Sequence, residues 1–227
     1  CMYFFTGGNS RSRISDNLLD LCAGNGLELE SGSPGEAKTG DKITNNVILG
    51  AGRTGSENAI NVSGGNPLIS RNLIRESGYA VVLNAAYGAS IKDNLFSDIF
   101  DDVLLQSGPD DSFDTTFSGN TVENTGGLDG ILYIDVSDDP GTTPIKQMTK
   151  NNFINYPVGV EGFTLVGAGS TNMSVHGFKT SKNFWGDLNS LDGLPSLDGA
   201  AATAVTNGDV DMSPTLKPNP VKYKGGI

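Results

Sequence analysis

Apolar and polar positions alternate in short bursts along this chain, and the bursts recur. An apolar residue stands three positions ahead of an asparagine at Ile14/Asn17, Ile43/Asn46, Ile69/Asn72 and Ile91/Asn94, then again at Phe117/Asn120 and Met148/Asn151. These asparagines lie 29, 26, 22, 26 and 31 residues apart. Between them comes a second burst each time, as in Leu27-Glu28-Leu29, Ile60-Asn61-Val62 and Val81-Val82-Leu83. Self-similarity at such a period predicts a solenoid. Each burst is brief, has apolar residues at alternate positions and is bounded by Gly, Asn, Asp or Ser, which predicts strands. The stretches from Asn72 to Val81 and from Asn94 to Val103 are too short to hold an amphipathic helix.

A single coil of this kind buries nothing. Stacked at a strand spacing of roughly 4.8 Å, successive coils pair their strands in parallel and align the inward Ile, Val and Leu in columns. The repeated asparagine fits the same picture. Asn tolerates a left-handed bend, and its amide can bond the backbone or the Asn one coil away. Asn17, Asn46, Asn72, Asn94, Asn120 and Asn151 are therefore read as an internal structural ladder, with Asn as the residue that takes the left-handed conformation.

On these repeats the chain resembles right-handed parallel β-helix proteins of the pectate-lyase-like superfamily, in their secreted or surface-bound form. The resemblance covers about residues 1–185. It extends to Asn183-Phe184-Trp185-Gly186 with Ser213-Pro214-Thr215-Leu216, which is similar to the Asn-Trp-Trp-Gly and Ser-Pro-x-Leu pair that closes such domains. The resemblance implies an all-β, right-handed, single-stranded parallel β-helix of about seven coils. It implies an extracellular or cell-surface location and no single activity, because lyases, hydrolases, epimerases and adhesins share the fold. Residues 186–227, with an alanine run and prolines at 214, 218 and 220, are expected to form an irregular C-terminal cap or strap on the helix. Trp185 is read as structural, covering the end of the apolar column.

Composition narrows the function. Fifteen Lys and Arg against 26 Asp and Glu give a net charge of −11. That balance argues against a nucleic-acid partner. It also makes the surface as a whole a poor attractor for polyuronates unless calcium bridges the two. No segment approaches the length of a membrane span. Cys1 and Cys22 are spaced close to one coil. They can form a disulfide on stacked coils, sit as two inward thiols, or, for Cys1, carry a lipid. The one histidine, His176, has no partner at ligand spacing.

Chemistry, if present, falls to the acids of the central coils. Aligning Val103 with Ile131 places Asp101 over Asp129 and Ser107 over Asp135. Carboxylates on neighbouring coils can act as general acid and base or hold calcium. Asp101, Asp102 and Asp129 are the catalytic candidates, and Asp101, Asp129, Asp135 and Tyr133 the candidate ligand-binding set. Asp110, Asp111 and Asp114, with Asp138 and Asp139, sit in two longer connections expected on one side of the solenoid, and are the candidate calcium ligands. No cofactor is required by any of this, and calcium is the one ion the sequence suggests. Asp101-Asp102 resembles the paired aspartates of polygalacturonases, but the Gly-His-Gly, Arg-x-Lys and Asp-Pro-His companions of the superfamily's enzymes are missing. Whether the chain is an enzyme stays open. Three functions stand: a noncatalytic surface module for carbohydrate or cell-envelope contact, which leads; a polysaccharide lyase, glycoside hydrolase or epimerase; and a structural unit that associates end to end into a fibre or surface layer.

Overall fold

The computed structural model describes residues 1–6, 11–31, 40–53, 57–107, 114–124, 132–135, 145–154, 164–166, 179–181 and 183–186. These residues form a right-handed parallel β-helix with three strands per coil, in three parallel sheets of seven strands each. Sheet A comprises β1 (Met2–Thr6), β4 (Leu27–Ser31), β7 (Asn58–Ser63), β10 (Tyr79–Asn84), β13 (Leu104–Ser107), β16 (Leu132–Asp135) and β19 (Thr164–Val166). Sheet B comprises β2 (Arg13–Ser15), β5 (Lys42–Thr44), β8 (Leu68–Ser70), β11 (Ser90–Lys92), β14 (Thr115–Ser118), β17 (Ile145–Thr149) and β20 (Lys179–Ser181). Sheet C comprises β3 (Leu18–Asp20), β6 (Val47–Leu49), β9 (Leu73–Arg75), β12 (Leu95–Ser97), β15 (Thr121–Glu123), β18 (Asn152–Ile154) and β21 (Phe184–Gly186). Residues 187–227, and with them the expected cap, lie outside the described residues.

The three-residue strands of sheets B and C point one side chain inward and two outward. In sheet B the inward column runs Ile14, Ile43, Ile69, Ile91, Phe117 and Met148, each 5% exposed or less. Sheet C contributes Leu19, Ile48, Ile74, Phe96, Val122 and Phe153. The longer strands of sheet A send in alternate residues, such as Leu27 and Leu29, or Val81 and Leu83. Burial of such a side chain stabilises by about 1.5–3 kcal/mol, so the columns are the main source of cohesion. Phe96 of sheet C and Phe117 of sheet B stack across the core with centroids 6.1 Å apart.

The asparagine ladder runs the length of the described solenoid. Each side-chain amide donates to the Oδ1 of the Asn one coil on at 2.9–3.2 Å, from Asn17 to Asn183. The backbone N–H of the same residue donates to that same oxygen. A second amide bond goes back one coil, to the carbonyl of Ile14, Ile43, Ile69, Ile91, Phe117 or Met148. That bond explains the spacing in the sequence: the apolar residue of one repeat supplies the acceptor for the asparagine of the next. Asn183 is a seventh rung that the sequence reading assigned only to the closing segment. Trp185 follows it in register with Phe153, at the position of the inward column of sheet C, and its side chain lies outside the described residues.

One expectation is corrected. The left-handed residue is the one before each of the six ladder asparagines from Asn17 to Asn151: Asp16, Asn45, Arg71, Asp93, Gly119 and Lys150, with φ between 57° and 67°. The asparagine must aim both its N–H and its amide along the helix axis, so its predecessor takes the bend. A second left-handed column, Leu21, Gly50, Glu76, Asp98 and Asn124, follows the strands of sheet C. Of the three readings of the cysteines, the disulfide is the one found, with Cα atoms of Cys1 and Cys22 5.4 Å apart.

Candidate functional site

Three surfaces are available, one per sheet, and the predicted acids fall beside sheet A. Residues 98–103 join β12 to β13. Along them Phe100 is 49% exposed, Asp101 half-buried and Asp102 only 2% exposed. The backbone N–H of Asp101 donates to the Gly78 carbonyl (3.2 Å), and the Asp102 carbonyl accepts from Ala80 (3.1 Å). This segment is thus already hydrogen-bonded to the coil below, with Asp101 partly exposed and Asp102 buried in the wall.

The pairing Leu104 with Leu132 and Leu105 with Tyr133 carries the register by which Ser107 comes opposite Asp135. Asp129 lies outside the described residues, as do Asp110, Asp111, Asp138 and Asp139, and the side chains of Tyr133 and Asp135. Asp114 is exposed, with φ 54°, just before β14. The connections 108–114 and 136–144 both leave sheet A and enter sheet B, so topology assigns them to one corner on successive coils. Among the described residues no three His, Cys, Asp or Glu side chains gather where they could hold a metal ion.

The outer face of sheet A is polar and acidic. One outward column runs Tyr3, Glu28, Asn61, Val82 and Leu105, and continues to the register position of Tyr133. The Tyr3 phenol is pushed above the ordinary tyrosine range. Its hydrogen bond to Glu30 is the main cause, with slight desolvation and the charges of Glu30 and Glu28 adding to it. The Asn84 amide donates to Asn61 Oδ1 (3.0 Å), so amides bridge coils on the outside as well.

Sheet B has the opposite character, and the sequence reading missed it. Its described strands carry Arg13, Lys42, Lys92, Lys146 and Lys179 and no Asp or Glu. The strands of sheet A carry Glu28, Glu30 and Asp135 and no Lys or Arg. Arg13, Lys42 and Lys92 are exposed, as are Arg71 and Lys150 at the turn that follows. The signal was present in the repeat, since the residues flanking each inward isoleucine must face outward, and Arg13, Lys42 and Lys92 stand on those flanks. Among the described residues the ion pairs are Arg53 with Glu76 (3.4 Å) and Arg75 with Glu76 (3.5 Å) and Asp98 (3.3 Å), all beside sheet C.

No known protein family, no curated protein and no solved structure matches this chain. The surfaces themselves therefore carry the functional argument.

Proposed function

We propose that this chain is a noncatalytic extracellular or cell-surface module of the pectate-lyase-like β-helix kind, which lays a long regular face against carbohydrate. The observation that carries this reading is register. Outward positions align coil after coil on all three sheets, at a strand spacing of roughly 4.8 Å, close to the advance of one sugar ring along an extended polysaccharide. A polymer laid along the axis meets the same kind of contact at every coil, so many weak contacts add. Outward amides and hydroxyls on sheets A and B, such as Asn61, Asn84, Ser90 and Thr116, are groups that suit sugar hydroxyls. Calcium is proposed only as a bridging ion at the corner that holds Asp114.

A screen of neutral and acidic polysaccharides, with calcium and with chelator, tests the reading. Retention of at least one polysaccharide without new reducing ends or unsaturated products is expected. Product formation lost in Asp101→Ala would establish an enzyme instead. Filaments without any sugar binding would favour the structural unit.

A further inference from the structure

We propose that the outer face of sheet B is a binding surface for an anionic polysaccharide, one bearing carboxylate or sulfate groups, lying along the solenoid axis. This rests on the carbohydrate-module reading and names both its face and its ligand class. The first support is segregation. In a chain of net charge −11, the seven strands of sheet B hold five Lys or Arg and no acid, whereas sheet A holds only acids among its charged residues. The adjoining turn column adds the exposed cations Arg71 and Lys150 against the anions Asp16 and Asp93. Lys and Arg thus lie at intervals along the whole axis, from Arg13 in the first coil to Lys179 in the last.

The second support is that these cations are not spent on the carboxylates of the described residues. Among the described residues, Arg13, Lys42, Arg71, Lys92 and Lys150 make no ion pair, while Arg53 and Arg75 near sheet C do. An exposed charge without an ion pair among the described residues is available to a ligand. The third is what stands between the cations. Ser90, Thr116 and Gln147 follow Arg13, Lys42 and Leu68 in one outward column, half-buried and polar. Hydroxyls and an amide between charges suit a polymer that alternates anionic groups with sugar hydroxyls.

A nucleic acid fits less well. A duplex carries one charge per roughly 1.7 Å and is repelled by the acidic remainder of the molecule, and single strands need aromatic platforms. The outward positions of sheet B whose side chains are described offer no aromatic ring. A polysaccharide whose charges are separated by one or more rings matches these sparser cations, which skip β8 and β14. Attraction of this kind is short-ranged in salt, and binding should weaken accordingly.

The test is binding of the whole chain to polygalacturonate, heparin, neutral dextran and duplex DNA by affinity electrophoresis and calorimetry. Polygalacturonate or heparin should bind, with affinity falling about 10-fold or more between about 50 and about 500 mM NaCl. The triple variant Arg13→Glu, Lys42→Glu, Lys92→Glu should lose about 10-fold or more, and Arg13→Lys, Lys42→Arg, Lys92→Arg should retain binding. Glu28→Gln with Glu30→Gln on sheet A should leave affinity for the acidic polymers unreduced. Melting curves check each variant, and should the triple reversal not fold, Lys42→Gln and Lys92→Gln singly take its place. Undiminished binding by the charge-reversed protein, or equal binding of dextran, overturns the sheet B proposal while leaving the carbohydrate module standing. Binding of none of the polysaccharides overturns both, and a preference for DNA overturns the ligand class.

Discussion

The chain crosses the corner between sheets B and C and the corner between sheets A and B once in every coil, yet only the first carries the asparagine ladder. Among the described residues the connection between B and C is a left-handed residue followed by the ladder asparagine in each of the first six coils, as in Asp16-Asn17, Arg71-Asn72 and Asp93-Asn94. Between A and B it varies from residues 64–67 to residues 167–178. The whole range of coil lengths, from 22 to 32 residues, is therefore taken up away from the ladder. A column of identical side chains can bond coil to coil only where the residue count is constant. Where the count is free, length and charge can change without disturbing the stack.

The harshest way to break this contrast is to change the count at the constant corner. A glycine inserted between Asp93 and Asn94 would shift β12 by one position, turning Phe96 out and Leu95 or Ser97 in. Loss of about 4 kcal/mol or more is expected, read as a collapse of the thermal transition. The same insertion beside the exposed Gly88, between β10 and β11, should cost under about 1 kcal/mol. Equal damage at both places would refute the division of labour.

Asn94→Ala should cost about 3 kcal/mol in urea unfolding, because it deprives the buried N–H and amide of Asn72 and the carbonyl of Ile69 of their partner. An unchanged midpoint would mean that the ladder only decorates the corner. Gly119→Val, which forces a branched side chain into φ 67°, should cost about 2 kcal/mol. Asn17→Ala is expected to be mildest, below about 1 kcal/mol. Asn17 is half-buried, and Asn46 Oδ1 keeps the Asn17 backbone donor. A loss at Asn17 as large as at Asn94 would show that position in the ladder does not matter.

The constant corner was also the legible one. Ile-x-x-Asn gave the coil length, the sheet B core column and six of the ladder rungs, because each rung needs the same two groups at the same spacing. Two things hid there. Arg71 and Lys150 are poor left-handed residues, so nothing in their chemistry showed that the bend precedes the asparagine. Asn183 has Thr180 where its fellows have an apolar residue, and so was read only as part of a closing motif. The candidate site was less legible. Asp101 and Asp102 are adjacent in the sequence, yet Asp101 is partly exposed and Asp102 is only 2% exposed, a difference that adjacency alone does not show. The cations of sheet B were invisible to a net charge, which sums over faces. They emerge only when each strand residue is given a side.

The bridge between Cys1 and Cys22 has a mechanical consequence. Tension applied at residue 1 would otherwise peel β1 from β4, breaking one backbone bond after another from the end. With the sulfurs joined, the load path runs from Cys1 directly to Cys22, and β1, β2 and β3 sit inside a closed loop that carries no force. Unravelling under a pull must then start at β4, in the second coil, where a strand is clamped by neighbours on both sides.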